Sequence, residues 1–382
     1  MSDINIQASV LHGVRDLRTE TRSITTPGPD ELQISVKSTG ICGSDQHYFN
    51  HFRNGDILVR EPLALGHESS GVVEAVGSNV AGSFKPGDRV AIEVGVACDK
   101  CSLCQAGRYN ICREMQFRSS AKSFPHFQGT LQSRINHPAK LCYKLSNSVS
   151  LDEGALLEPL SVAIHAVRRA RTKPGLNVLV LGAGAVGLLT AAMLRVEKAA
   201  KITIADIEGR RVNFATQNGF ADVGIAVPRT RPKTDAIEDR LAIAQETAKV
   251  LTQSNSGGDS SDTLFDVVFE CTGVEACVQA SIYATKPGGA VMLIGMGTPI
   301  QTLPVSAAAL REVDLVGVFR YARTYEYGLE LLADREKSGL PDISKIATHR
   351  FTGFGSVVDA FKMAATPVDD HGNPVLKVVI EF

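Results

Sequence analysis

The segment NVLVLGAGAVGLLTAAMLRV, residues 177–196, limits the possible folds more than any other part of the chain. Its first six residues are a short apolar run closed by glycine and read as a buried strand. The continuation has few helix breakers and reads as a helix over 185–199. Between them Gly182, Gly184 and Gly187 keep the G-x-G-x-x-G spacing, with Val186 inside it. That spacing is weak alone but gains meaning after a strand and before a helix. The first glycine permits the tight turn, the second lets a pyrophosphate approach the backbone, and the third lets helix and strand pack. The pyrophosphate then lies at the positive helix N-terminus. The next strand, KITIAD, ends on Asp206, twenty-four residues past Gly182, where a carboxylate would bind ribose hydroxyls. Its charge disfavours a 2′-phosphate and so favours NAD over NADP. Arg210 and Arg211 blunt that argument, and Arg211 is placed against the adenine or ribose, or in water. The alternative is that the glycines only tighten a βα turn.

The same alternation continues. EGRRVNFATQNG reads as a helix closed by Gly219, followed later by FDVVFECTG, a helix through 274–285, and GGAVMLIGMG. Alternating strands and helices imply a doubly wound parallel sheet covered on both faces. An interruption over 228–262 contains VPRTRPKT and SNSGGDSSD. Arg229, Arg231 and Lys233 read as a solvated loop rather than a phosphate patch, and 254–262 reads as a flexible surface insertion.

At 382 residues the chain exceeds one hydrophobic core, so two domains are expected. Residues 1–155 hold short β-rich runs (LQISVKSTG, SGVVEAVG, DRVAIEV) broken by Gly and Pro. Residues 301–382 return to a mixed texture, with strand VDLVGVFRY, helices TYEYGLELLADR and SVVDAFKMA, and strand LKVVIEF. This last part is expected to fold back onto the first, leaving 156–300 as an inserted nucleotide domain. The net charge of −1, from 40 basic and 41 acidic residues, supplies no bulk field for nucleic acid or an anionic membrane. The N-terminus has no signal-peptide pattern, and the apolar runs are too short to span a membrane. A cytoplasmic protein is expected.

Eight cysteines are too few for a disulfide scaffold, yet four of them crowd into CDKCSLCQAGRYNIC, residues 98–112. Cys98, Cys101, Cys104 and Cys112 follow C-x2-C-x2-C-x7-C, which places thiolates on one concave loop and lets the chain return to close a tetrahedron. In a reducing compartment this favours a four-thiolate structural zinc with no open coordination position. An iron–sulfur cluster and disulfides are the alternatives. Reactive chemistry would then lie elsewhere. GICGSDQHY offers Cys42 and Ser44, LGHES offers His67 and Glu68, and LLEPLS offers Glu158. These could converge on a second zinc with an open position. Singly, each has a plainer reading: a small buried thiol, a core histidine, a charge near a helix start.

Together, GICGSD, LGHESSGVVEAVG, KPGDRVAIE and the four-cysteine lobe, followed by the nucleotide segment, resemble the zinc-dependent medium-chain alcohol dehydrogenases nearly end to end. EPLSVAIHA, with Glu158 where simple alcohol dehydrogenases carry a third zinc-binding cysteine, is similar to the polyol branch typified by sorbitol dehydrogenase. GVFRY at 317–321 and DQHY at 45–48 match that branch too. The complete lobe, usually lacking in animal sorbitol dehydrogenases, points to the microbial type, close to fungal sorbitol, xylitol and L-arabinitol dehydrogenases. The resemblance implies a GroES-like β-rich catalytic domain with two zinc sites (1–155 and 301–382) and a Rossmann NAD-binding domain (156–300). It implies a catalytic zinc on Cys42, His67 and Glu68, with water completing the shell and Glu158 touching either that water or the metal. Ser44 would relay the proton outward, with His47 as an extension. Tyr48, Glu158, Arg320 and Tyr321 would meet substrate hydroxyls, and Phe319 and Arg320 would contact the cofactor. The family's assembly implies a homotetramer through the nucleotide domains.

The function expected is NAD-linked oxidation of D-sorbitol at C2 to D-fructose, of L-iditol 2-dehydrogenase type. D-xylulose-forming xylitol dehydrogenase and L-arabinitol 4-dehydrogenase are the alternatives; Tyr48 follows the sorbitol/xylitol pattern, and Phe there would lean towards L-arabinitol. A dehydrogenase for simple secondary alcohols, threonine or formaldehyde-type adducts is a rival within the enzyme class. A catalytically idle NAD-binding protein is the rival outside it, and such a protein would be expected to have lost Cys42, Ser44, His67 or Glu68.

Overall fold

The computed structural model describes residues 4–253 and 263–382; the expectation for 254–262 lies outside them. Two compact units emerge. One comprises Met1–Ser161, Ala322–Asp334 and Ile343–Phe382; the other comprises Val162–Tyr321 and Arg335–Asp342.

The second unit is built on six parallel strands in the order Val223–Ala226, Lys201–Asp206, Asn177–Leu181, Phe265–Glu270, Thr285–Leu293, Asp314–Gly317. The central strands are buried nearly throughout, as a sheet covered on both faces requires. Strand order reverses beside Asn177–Leu181, where this fold class binds ligands at the carboxyl ends of its strands. The chain stays in this unit to Tyr321, past the expected boundary at 300, because Asp314–Gly317 pairs with Thr285–Leu293.

Three local expectations change. The helix expected over 185–199 ends at Val196, and Lys198 turns the chain in the left-handed conformation. The expected strand VDLVGVFRY is a strand only over Asp314–Gly317, and Arg320 then sits at φ 50°. Within the interruption 228–262, Ile237–Gln253 forms a helix. Its buried stripe is Ala244, Ala248 and Leu251, a helical spacing made largely of alanine.

The first unit holds a seven-stranded sheet. Its order is Cys142–Lys144, Arg89–Ile92, Glu68–Val76, Glu31–Gly40, Lys377–Glu381 and Ala347–Thr352, with Arg134–Pro138 also paired to Glu31–Gly40. The C-terminal strand Lys377–Glu381 therefore lies beside Glu31–Gly40, with Val379 opposite Gly40, while Gly40 also faces Glu68 on its other side. A Cβ on Gly40 would collide with the Glu68 carboxylate and press on Lys377 Cδ. Glycine at position 40 thus lets two charged side chains from neighbouring strands cross its face.

Candidate active site and metal centres

The four lobe cysteines surround one point. Their sulfurs stand 3.5 Å (Cys101–Cys104 and Cys98–Cys112), 3.9 Å (Cys98–Cys104) and 4.0 Å (Cys101–Cys112) apart, and all are free thiols. A tetrahedron with metal–sulfur bonds of about 2.3 Å has edges of about 3.8 Å, so the lobe fits zinc in a closed four-thiolate shell. Backbone N–H groups of Lys100 and Cys101 pull the Cys98 thiol down to about 7, while burial and the neighbouring sulfurs push Cys104 up to about 12, so without a metal the four thiols do not ionise together.

Cys42, His67 and Glu68 form the second group, their ligand atoms all within 4.8 Å of one another. Cys42 caps the helix Gly43–His51, and His67 and Glu68 sit where the chain enters the strand Glu68–Val76. Gly66, at φ 89°, makes the turn just before them. A thiolate, an imidazole and a carboxylate are a zinc-type donor set, and three protein ligands leave one position open.

Two residues that the sequence reading did not single out hold this group in place. Asp45 is buried, and its Oδ1 lies 3.3 Å from His67 Nδ1, an ion-pair distance rather than an aligned hydrogen bond. Asp45 also accepts hydrogen bonds from Ser119 Oγ (2.6 Å) and from the N–H groups of Gly66 and Cys42 (3.2 Å each). Burial pushes the Asp45 carboxyl up, but His67 and these donors outweigh it and hold it below its ordinary value. Burial likewise pushes His67 down, and the charges of Asp45 and Cys42 outweigh it and raise His67 well above its usual range. With Nδ1 turned to Asp45, Nε2 is the atom left for a metal.

Lys377 is the second. It is 5% exposed, and its Nζ lies 2.7 Å from each Glu68 oxygen and 3.1 Å from the Ile41 carbonyl. Burial works against its charge, but Glu68 first, then Cys42 and Glu158, raise its pKa. Glu158, buried on the helix Leu151–Arg169, therefore acts on the same charge cluster. Pro159 follows it inside that helix and removes one backbone donor there. Both residues left a faint mark in the sequence: an acid three positions after Cys42, and a lone lysine opening an apolar strand.

The other anticipated residues are distributed as follows. Ser44 lies in the first turn of the helix capped by Cys42, partly buried. His47 is on the exposed side of that helix, its ring 6.1 Å from His51. Tyr48 is buried in an apolar cluster with Ile41, Phe49 and Leu131, and its phenol oxygen accepts the Ala121 N–H at 3.2 Å. Phe319, Arg320 and Tyr321 belong to the second unit. Phe319 is exposed with the Arg320 guanidinium 4.8 Å above its ring, and Tyr321 is buried.

In that unit the glycine motif has the expected context. Gly182 adopts φ 98°, and a Cβ on Gly187 would strike the Gly182 carbonyl. A Cβ on Gly184, at the N-cap of Ala185–Val196, would meet no protein atom within 4 Å, which suits a backbone left bare for a pyrophosphate. Asp206 closes the adjacent strand, its two oxygens accepting N–H bonds from Ala183 (2.7 Å) and Glu208 (2.9 Å). Val186 and Arg211 are partly buried on the helices that follow the two strands. These residues fit a dinucleotide.

Residues 28–147 match the family model for the alcohol dehydrogenase GroES-like domain, and residues 185–334 match that for zinc-binding dehydrogenases. The chain is 40% identical to a sorbitol dehydrogenase of Arabidopsis thaliana over 98% of this chain and 95% of that one. It is 39% identical to an L-idonate 5-dehydrogenase of Vitis vinifera over 98% and 94%. Among solved structures, an Escherichia coli oxidoreductase/dehydrogenase of unknown specificity superimposes with a TM-score of 0.80 at 32% identity, covering 99% of both chains.

Proposed function

This chain belongs to the zinc-dependent medium-chain dehydrogenases, in their polyol branch, and we propose that it oxidises D-sorbitol at C2 to D-fructose. Its cofactors are NAD and zinc. The observation that carries the proposal is the convergence of half-buried Cys42 with buried His67 and Glu68, with Glu158 acting on the same cluster where simple alcohol dehydrogenases have cysteine.

Bound at Cys42, His67 and Glu68, zinc supplies Lewis acidity at the alcohol oxygen, while NAD is the hydride acceptor. Asp45 fixes the His67 ring, and Lys377 neutralises the Glu68 carboxylate. Ser44 relays the proton that the alcohol O–H loses, accepting it as it hands its own hydroxyl proton on, and His47, one helical turn on and exposed, releases a proton to solvent. A polyol also needs partners for its unreacting hydroxyls, since a bound hydroxyl left unpaired is costly. Tyr48, Glu158, Arg320 and Tyr321 fill that role. Tyr48 accepts the Ala121 N–H and so keeps its own O–H available to donate. Arg320 at φ 50° is a non-glycine residue in the left-handed region, the kind of backbone cost that clusters at functional segments. Gly182, Gly184, Val186, Gly187, Asp206, Arg211, Phe319 and Arg320 bind NAD, and Cys98, Cys101, Cys104 and Cys112 hold the structural zinc.

The protein acts in the cytoplasm as a homotetramer built through its nucleotide-binding units. Assembly through that unit is supported by Asp314–Gly317 being an edge strand among the described residues and by Ile300 and Leu310 being each 87% exposed. A second reading, oxidation of a polyhydroxy acid, is favoured by the relative named for L-idonate and by the cation Arg320.

The test is NADH formation with D-sorbitol, xylitol, L-arabinitol, L-idonate, L-threonine and 2-propanol, with NAD and NADP, before and after chelation of labile metal. Strong, chelator-sensitive, NAD-linked oxidation of D-sorbitol above the others is expected. Inert polyols beside a reactive simple alcohol would overturn the assignment. No activity together with only one bound zinc would return the idle-protein reading.

A further inference from the structure

A groove of about 400 Å³ in the first unit shares no lining residue with the sites described above. It is lined by Arg22, Arg118 and Arg134, by neutral polar side chains and by the apolar Ile24, Phe127 and Ile135, and no carboxylate is among its lining residues.

Arg118 is the unusual member. It is 4% exposed, yet no carboxylate among the described residues pairs with it. Its Nε donates to His137 Nδ1 at 3.1 Å, its Nη atoms donate to the carbonyls of Gln128 and Asn136, and its plane covers the Phe127 ring at 4.4 Å. Every one of these partners is neutral: burial, reinforced by Arg118, keeps the His137 imidazole uncharged by pushing it down to about 3. Cys142, a thiol that burial keeps neutral, and after it Glu31 act on Arg118 only at a distance. Three of about five guanidinium N–H donors are thus used, and the charge is left uncompensated where compensation matters most.

The flanking cations are weakly engaged. Arg22 meets Glu20 at 3.3 Å and Gln128 Oε1 at 3.0 Å, and Arg134 meets Glu74 at 3.6 Å. Their side chains are 26% and 37% exposed. Three guanidinium forks around one groove suit a dianion with several acceptor oxygens, which is the chemistry of a phosphate monoester. The volume exceeds that of a bare phosphate. The other lining groups, including Ser23, Thr25, Gln132 and Asn136, can hydrogen-bond a hydroxylated body.

We propose that this groove is a second binding site, separate from the catalytic and dinucleotide sites, for a small phosphorylated sugar or polyol. Arg118 forms its floor, and Arg22 and Arg134 form its walls. Phosphate is gripped by the arginines, and the hydroxylated remainder lies along the neutral polar wall.

The test uses full-length, zinc-loaded protein saturated with NADH, so that the pyrophosphate site is filled. Binding of D-glucose 6-phosphate, inorganic phosphate and D-glucose is measured by calorimetry at matched ionic strength. One site per chain for glucose 6-phosphate is expected, with weaker binding of phosphate and none of glucose. Because Arg118 is buried and Arg118→Met risks misfolding, the decisive variant is the surface pair Arg22→Gln/Arg134→Gln. It should weaken glucose 6-phosphate by at least about tenfold, the loss of one or more charge-assisted bonds, with sorbitol oxidation and zinc content unchanged. No binding, phosphate as tight as the phosphosugar, or unchanged affinity in the double variant would each overturn the proposal. So would a double variant that changes oligomeric state, because the groove would then be an interface between copies.

Discussion

The two cysteine-bearing centres of the first unit are made in opposite ways. The lobe takes all four sulfurs from residues 98–112, and its sulfurs reach tetrahedral spacing with little help from outside that loop. The Cys42 centre assembles a helix cap, a strand entry and, behind them, a lysine 309 residues further along the chain from Glu68. A local loop that closes four thiolates on itself leaves a bound zinc no open position. A centre built from separate segments, with one side unfilled and its charges balanced by buried partners, can hold a metal and still admit a substrate. Damage to the first should therefore appear as lost stability, and damage to the second as lost metal and lost turnover.

The largest effect on stability is expected from the lobe. Cys112→Ser should release one zinc per chain and cost about 5 kcal/mol or more, since structural metal binding is itself folding free energy. Denaturant unfolding with metal analysis reads both; a variant that loses the metal but unfolds like the parent would break the clamp reading. Next comes Lys377→Met, which strands the Glu68 carboxylate in the interior. In metal-free protein this should cost about 3–5 kcal/mol, and zinc should recover much of it by replacing the missing cation, while Lys377→Arg should be milder. Equal losses with and without zinc would show that Lys377 serves packing alone. Gly40→Ala is expected to cost about 1–3 kcal/mol by overpacking against Glu68. It should loosen the zinc of the Cys42 centre and leave the lobe loaded, which separate titration of the two metals would reveal.

The last effect, absent at neutral pH and growing only in acid, concerns the two buried imidazoles. His67 has Asp45 beside it, whereas His137 has Arg118 and is depressed from 6.5 to about 3, first by burial and then by that arginine. The folded protein therefore resists protonating His137 while the unfolded chain takes up a proton below 6.5. Its contribution to stability is complete above that pH and falls as the pH drops towards 3, by up to about 1.4 kcal/mol per pH unit. His137→Gln should flatten that part of the stability–pH curve; an unchanged slope would mean other groups carry it.

The same contrast explains what could be read in the sequence. The lobe was legible because its spacing is its geometry. The glycine motif was legible because the turn imposes it: Gly187 leaves no room for a Cβ and Gly182 needs its positive φ. Cys42, His67 and Glu68 could be named only as separate candidates until the likeness of the whole chain joined them. Asp45 and Lys377 stayed hidden, because nothing local says that an acid in a first helical turn faces a histidine, or that a strand lysine reaches a glutamate across Gly40. The helix Ile237–Gln253 escaped because a stripe of Ala244, Ala248 and Leu251 carries little apolar signal.

The central claim is that Cys42, His67 and Glu68 form the catalytic zinc centre and that the lobe is a separate, structural one. Zinc content, thermal unfolding and NAD-linked sorbitol oxidation, measured together on the parent and on Cys42→Ser, test it directly. The expected result is two zincs falling to one, an unfolding transition close to the parent's, and kcat/KM lower by about a thousandfold or more, as loss of metal-ion stabilisation of several kcal/mol implies. A Cys42→Ser protein that keeps both zincs, or that oxidises sorbitol at the parental rate with one, would contradict the account.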